Sequence, residues 1–331
     1  MFNAPFIGRG LSPIIFGNSG AGGTPVIPAP SPLTAPSIAV SGNDWTVTPG
    51  TYSGADSVST VVRLGGVIVG LTGTLAAGDN GKTLTVDETA TNAGGTATQT
   101  ASRVMPYDAL APYYASGTIG IHFATDAVTT NAGGQVTGLR NKGALGAAFN
   151  ATVSGEPIAI SGNALNLTST SGTITTATAA ALSGVRLMFV VGLDQIVNGT
   201  RFFGHVNGAV TWDVHTNTNA SGLIVQGRYV SGTATVLSGS PRILTAATGF
   251  ALIEVEFSAT QWLTWINGTA TTGANASVPE FYISTVGTGT SGARMLGAMG
   301  DVAGVLTGRA DTAAAIAALK TLLNQKFGTP A

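Results

Sequence analysis

Between Gly249 and Gly268 the chain reads GFALIEVEFSATQWLTWING. Ala251, Ile253, Val255 and Phe257 alternate with Leu252, Glu254, Glu256 and Ser258, the period of two that marks a strand with one buried and one wetter face. Ser258 to Gln261 turns the chain, Trp262 to Ile266 brings it back, and Asn267-Gly268 takes readily to the positive φ of a tight turn. Val210 to His215 repeats the alternation, with Trp212 and Val214 set against Asp213 and His215. A helical period is convincing only near the end of the chain. There Ile316, Leu319, Leu323 and Phe327 recur on one face, Asp311 is placed to cap the start, and Gly328 with Pro330 stops the helix. Such a stripe is expected to cover sheet surface. The pattern as a whole predicts an all-β chain with one C-terminal helix.

Punctuation by Gly and Pro divides the chain into five segments. Residues 1–23 are apolar but broken by Gly and Pro. Phe2, Phe6, Ile7, Leu11, Ile14, Ile15 and Phe16 are too scattered for a helix, and a peptide that cannot bury them itself is expected to anchor on another protein. Residues 24–36, TPVIPAPSPLTAP, form a Pro-rich extended linker. Residues 37–104 read as short strands with Gly turns, the pattern of a small β-sandwich. Residues 105–118 are a second linker, and 119–331 form the larger β domain.

Composition narrows the class. The chain has 331 residues, 44% of them hydrophobic, which is enough for real cores, yet only 9% are charged. Ordinary soluble proteins carry about 25% charged residues. A β-rich chain whose surface is polar through hydroxyls and amides suits an extracellular or particle-borne fibre. With 14 Lys and Arg against 15 Asp and Glu, no global field draws it to nucleic acid. The absence of cysteine excludes disulfides, thiolate metal sites and cysteine nucleophiles. The first residues lack a basic stretch followed by an unbroken apolar run, so no signal peptide is expected, and no run reaches the ~18 apolar residues of a membrane span. Exterior-type composition without an export signal fits a virion component, displayed on the outside of a particle released by lysis.

Two resemblances sharpen the fold. Thr48-Pro49-Gly50-Thr51-Tyr52-Ser53-Gly54, Asp79-Asn80-Gly81-Lys82-Thr83-Leu84-Thr85-Val86 and Ala90-Thr91-Asn92-Ala93-Gly94-Gly95 resemble the immunoglobulin-like modules of bacterial and phage surface proteins. The core Trp those modules carry in their third strand is replaced here by Val61-Val62-Arg63-Leu64, and Trp45 is the candidate to compensate. In the larger domain, Gly120-Ile121-His122-Phe123-Ala124-Thr125-Asp126, Gln135 to Gly143, Asn163 to Leu167, Arg186 to Asp194, Leu263 to Gly268 and the C-terminal helix resemble concanavalin A-like, laminin-G-like jelly rolls. Asn141 stands where those domains usually have Asp. The resemblance implies a phage or phage-like virion protein with an Ig-like spacer and a jelly-roll sandwich.

Candidate chemistry is sparse. Glu254 and Glu256 share one strand face about 7 Å apart by strand rise, and jelly-roll β-glucanases carry carboxylates at alternating positions of such a strand. The third acidic position of those enzymes is Ser258 here, so no catalytic residue is assigned and an enzyme is not expected. If the strand at 210–215 neighbours the hairpin, Asp213, His215, Glu254 and Glu256 line one concave face with Arg228 and Trp262 nearby. Such a face binds sugar by hydrogen bonds and aromatic stacking. His122, His205 and His215 lack metal-ligand spacing, so neither metal nor cofactor is expected. Asp79 to Thr83 imitates the end of a P-loop, but Ala76 occupies the position of its first Gly and a strand follows, so a β-turn is expected. The function expected is a particle appendage, as head spike, head fibre, capsid decoration or tail fibre. Its jelly roll attaches to host surface polysaccharide, its N-terminal peptide binds other virion proteins, and identical copies assemble as a trimer or around a five-fold vertex. The alternatives are a decoration protein with no receptor role and, behind it, a polysaccharide hydrolase.

Overall fold

The computed structural model describes residues 26–168, 171–181, 184–192, 200–207, 210–219, 222–231, 234–243, 249–257, 262–273, 282–287 and 295–329. The seven apolar residues assigned to the anchor, Phe2 to Phe16, lie outside the described residues, as does Ser258. The chain forms two compact units, residues 1–107 and 108–331.

The first unit holds β1 (Ser31–Thr34), β2 (Ser37–Ser41), β3 (Asp44–Thr48), β4 (Thr51–Ser53), β5 (Ser57–Leu64), β6 (Val67–Val69), β7 (Thr72–Thr74), β8 (Thr83–Asn92) and β9 (Gly95–Val104). Two antiparallel sheets, ordered β2-β3-β7 and β6-β5-β8-β9, accompany a β1-β4 ribbon. Trp45, Val47, Val62, Leu64, Leu75, Leu84, Val86 and Met105 fill the core between them. Trp45 thus occupies the centre of the unit, from β3. Its indole packs against Gly73 of β7, where a Cβ would stand 2.5 Å from Trp45 Cζ2. Overpacking a fitted core costs about 1–3 kcal/mol. Gly73→Val is therefore expected to lower the first unit's unfolding midpoint, whereas Gly78→Val, at a position with open space around it, leaves it in place; equal midpoints in urea unfolding would refute the Trp45 contact. The turn at Asp79 to Thr83 is a surface turn closed by a 2.8 Å Lys82–Asp79 pair.

The second unit comprises α1 (Ala111–Ala115), β10 (Ile119–Thr130), β11 (Val136–Asn141), β12 (Ala151–Ser154), β13 (Ala159–Ser161), β14 (Ala164–Leu167), β15 (Thr173–Ala181), β16 (Val185–Gly192), β17 (Arg201–Asn207), β18 (Val210–Asn219), β19 (Gly222–Ser231) and β20 (Ala234–Ile243). It continues with β21 (Phe250–Phe257), β22 (Trp262–Ile266), β23 (Thr269–Gly273), β24 (Tyr282–Val286), β25 (Gly297–Leu306) and α2 (Thr312–Phe327). One continuous antiparallel sheet runs β20-β19-β18-β17-β24-β15-β12-β11-β10-β25-β16-β21-β22-β23, with β14 also on β25. β16 and β17 are far apart in that order, yet Phe189 packs on Phe202 and Phe203 with ring centroids 5.1 and 4.8 Å apart. The sheet must therefore fold over on itself, burying a core between its two halves. β10 carries the fold line: it pairs with β25 through Phe123 and with β11 from Phe123 onward, with a register shift between Phe123 and Val128. The chain is an all-β protein of sandwich type with a C-terminal helix, as the alternation predicts.

The hairpin forms in the expected register, with Phe257 opposite Trp262 and Ile253 opposite Ile266. Asn267 and Gly268 have φ of 49° and 74° and join β22 to β23 in the two-residue manner that suits a twisted hairpin. α2 ends at Gly328, a left-handed cap whose N–H donates to Asn324 O at 2.7 Å. Ala315, Leu319, Leu323 and Phe327 are buried against the sheet and Ile316 is partly buried. Asp311 stands at the N-cap position without capping through its side chain. Its carboxylate instead accepts from Ser116 Oγ at 2.7 Å and Thr118 Oγ1 at 2.5 Å, which ties the helix start to the segment before β10.

Candidate functional site

In β21, Ala251, Ile253 and Val255 enter the core between the sheet halves. Leu252 and Phe250 take the opposite face, under α2. The alternation is as expected, but the second face is not the wetter one: Leu252 and Glu254 are both fully buried. A helix absent from the local pattern covers them. Glu254 Oε1 lies 2.7 Å from Lys320 Nζ of α2, and Oε2 lies 3.4 Å from Arg186 of β16. Arg186 Nε donates to Glu256 at 2.9 Å, and its guanidinium sits 3.8 Å above the Trp265 ring. Both acidic residues are thus bound to one cation that is itself stacked on an indole. Glu254, with no exposed surface, is held by two cations, and a desolvated charge needs such partners.

Asp213 and His215 occupy β18, whose Val214 points into the core, so both side chains take the opposite face. Asp213 is fully buried and His215 nearly so. Asp213 Oδ1 pairs with His215 Nδ1 and lies 3.3 Å from Arg201 of β17, the residue directly opposite His215. Arg228 stands opposite Asp213 on β19; its side chain and that of Trp262 lie outside the described residues. β18 pairs with β17 and β19, whereas β21 pairs with β16 and β22. The single face expected to join Asp213 and His215 with Glu254 and Glu256 therefore does not form. The two groups belong to opposite halves of the folded sheet, each on the side away from the shared core. Arg201, next to Asp213 and His215, was not singled out by the sequence pattern.

A third cluster was not foreseen. Asp301, in the otherwise small and apolar strand GAMGDVAGVL, is fully buried and collects partners from three elements. Lys326 Nζ of α2 donates to both its oxygens at 2.9 and 3.2 Å, and Thr125 donates from N and Oγ1 at 2.9 and 3.1 Å. His122 Nε2 lies 3.4 Å away, and the Tyr114 hydroxyl meets His122 Nδ1 at 2.5 Å. Burial opposes ionisation of Asp301, but the neighbouring His122 ring, the Lys326 ammonium and the Thr125 N–H outweigh it and hold the carboxyl at about 2. Burial, then the charges of Asp108, Asp301 and Asp126, push the Tyr114 phenol up. A lone Asp inside an apolar strand was the available signal, since a buried acid requires partners.

Two motif residues prove structural. Asn141 Oδ1 accepts from the His122 and Gly143 N–H groups at 2.7 and 3.0 Å, while Nδ2 donates to Gly120 and Gly146 carbonyls at 3.3 and 3.2 Å. The two donated bonds need an amide, which an Asp at this position would not have. In the first unit, the Gly50 N–H of the Thr48–Gly54 motif donates to buried Glu88 at 3.0 and 3.1 Å, joined by Thr60 Oγ1 at 3.1 Å. Among the described residues no group of three or more His, Asp or Glu is placed to hold a metal ion, and no helix is long and apolar enough to cross a membrane.

No protein-family model matches the chain, and no curated protein matches it in sequence. Among solved structures, it is similar to domain 4 of AbnA, an extracellular arabinanase from Geobacillus stearothermophilus in complex with arabinotriose, at 10% identity and a TM-score of 0.41, covering 57% of this chain and 93% of that one. It is also similar to Trypanosoma rangeli sialidase at 10% identity and a TM-score of 0.36, covering 73% of this chain but only 43% of the sialidase. At such scores the likeness decides nothing about what this chain binds.

Proposed function

We propose that the protein is a non-catalytic appendage on the exterior of a phage or phage-like particle. Its apolar N-terminal 23 residues bind other particle proteins, its first unit is a spacer, and its second unit attaches to host surface glycan. The observation that carries the glycan reading is the convergence of Asp213, His215 and Arg201 on the face of β17 and β18 away from the core. An acid, an imidazole and a guanidinium side by side supply the donors and acceptors that sugar hydroxyls require. The non-catalytic part is supported by Glu254 and Glu256, both engaged by Arg186, with α2 above Glu254. A purely structural decoration role is the second reading, favoured by the burial of Asp213 and His215, because mutual pairing accounts for that cluster without a ligand.

The test uses particles carrying Arg201→Gln, which removes a charge only 13% exposed from the face while leaving the acid and imidazole. Single-site sugar affinity of about millimolar strength is expected to be multiplied by copy number, so adsorption to host cells should fall at least tenfold with incorporation unchanged. Unchanged adsorption by fully occupied particles would remove this face and favour the decoration role.

A further inference from the structure

β9 ends the four-stranded sheet of the first unit and, among the described residues, pairs only with β8. Its ten residues, GTATQTASRV, run without a register shift from Asn92 opposite Gly95 to Thr83 opposite Val104. The bonding phase follows from the next rung, where Met105 N donates to Lys82 O at 2.8 Å. Antiparallel bonding alternates, so the odd-numbered residues Ala97, Gln99, Ala101 and Arg103 bond to β8. The even-numbered Thr96, Thr98, Thr100, Ser102 and Val104 direct their N–H and C=O groups out of the sheet. Gln99 and Arg103 donate to the carbonyls of Thr34 and Ile38 at 3.0 and 3.1 Å, so β1 and β2 pass along the odd-numbered face. The even-numbered side chains are exposed, Val104 by 62%.

Edges of this length are normally blunted by Lys, Pro, a bulge or a cover. β9 has none of the first three, and its single charge, Arg103, lies near one end. The opposite edge of the same sheet, β6, is only three residues long.

We propose that β9 is a self-association edge that pairs antiparallel with β9 of a second copy, extending the sheet across a two-fold axis at Thr100. In that register Thr100 meets its own mate, Thr98 faces Ser102, and Thr96 faces Val104. These are hydroxyl–hydroxyl and methyl–aliphatic pairs of the kind that stabilise sheets. Arg103 falls opposite Ala97, away from the other Arg103, and a chain of net charge −1 carries little long-range repulsion against its copy. An isologous contact needs one self-complementary surface, which a strand whose single charge avoids its own mate supplies. The two-fold contact differs in symmetry from the trimer or five-fold assembly that the appendage reading expects, and it does not depend on the glycan reading.

The test is sedimentation equilibrium of the full chain across a concentration series. The expected result is a dimer that dissociates at least a hundredfold more readily in Thr98→Lys/Thr100→Lys, and is unchanged in Thr89→Lys, an exposed residue on the same face of the interior strand β8. Because the chain contains no cysteine, Thr100→Cys gives a second readout. Oxidation should cross-link it into dimers, whereas Thr89→Cys should stay monomeric under denaturing conditions. A wild-type monomer at all concentrations, an oligomer indifferent to the paired lysines, or β9 taken up by a different protein while copies remain unpaired would each overturn the proposal. Circular dichroism of the lysine variant distinguishes lost pairing from lost folding.

Discussion

Arg186→Met is expected to be among the most damaging single substitutions in the second unit, costing about 3–5 kcal/mol, the range for stripping one partner from a buried ion pair. The guanidinium holds Glu254 and Glu256 together and lies on Trp265. Without it, two carboxylates face each other beside an indole, and Glu254, with no exposed surface, keeps only Lys320. The companion Glu254→Leu should behave in the opposite sense. It leaves Arg186 paired with Glu256 and frees Lys320, whose side chain is 22% exposed, to turn toward water. An apolar replacement of a buried acid is often neutral or stabilising, so a change within about 1 kcal/mol is expected. The measurement is the unfolding of the second unit in urea, followed separately from the first because two-unit chains need not unfold together. If Glu254→Leu proved the worse of the pair, the view that Arg186 carries this contact would fail.

The same residues mark what local pattern reveals and what it conceals. Alternation in β21 gave the strand, its hairpin and the sides on which Ile253 and Glu254 lie, because strand geometry forces successive side chains apart. It did not reveal what each side meets. Polarity at Glu254 suggested water, yet the contact comes from Lys320, far along the chain, and no period of two can encode it. Asp213 and His215 alternate in the same way, so the two segments looked equivalent; strand order separates them, and the folding-over seen in the packing of Phe189 on Phe202 and Phe203 is equally long-range. α2 and the Asn267-Gly268 turn were legible because caps and positive-φ residues are local requirements. The Asp301 cluster was hidden for the opposite reason: Thr125 and Asp301 are 176 residues apart.

That cluster contributes to the acid stability of the second unit. Asp301 is held at about 2 against an ordinary 3.8. A depressed folded value means the stabilisation is fully present above pH 4 and is lost as pH falls from about 4 toward 2, because the folded state must then take up a proton that the unfolded chain already binds. A shift of that size is worth about 2 kcal/mol. Asp301→Asn preserves shape while leaving Lys326 without the acid at 2.9 Å and His122 without the carboxylate 3.4 Å away. It is expected to cost about 2–4 kcal/mol at neutral pH and to shrink to a small penalty near pH 2, where wild type has lost most of the same stabilisation. Asp311 of the same unit is also pulled down by its hydrogen-bond donors, so wild type still declines in acid. The informative quantity is the difference between the two chains, read from urea midpoints at pH 7, 4, 3 and 2. A gap that stayed constant from pH 7 to 2 would mean that Asp301 acts through packing, and that Lys326 anchors α2 without help from its charge.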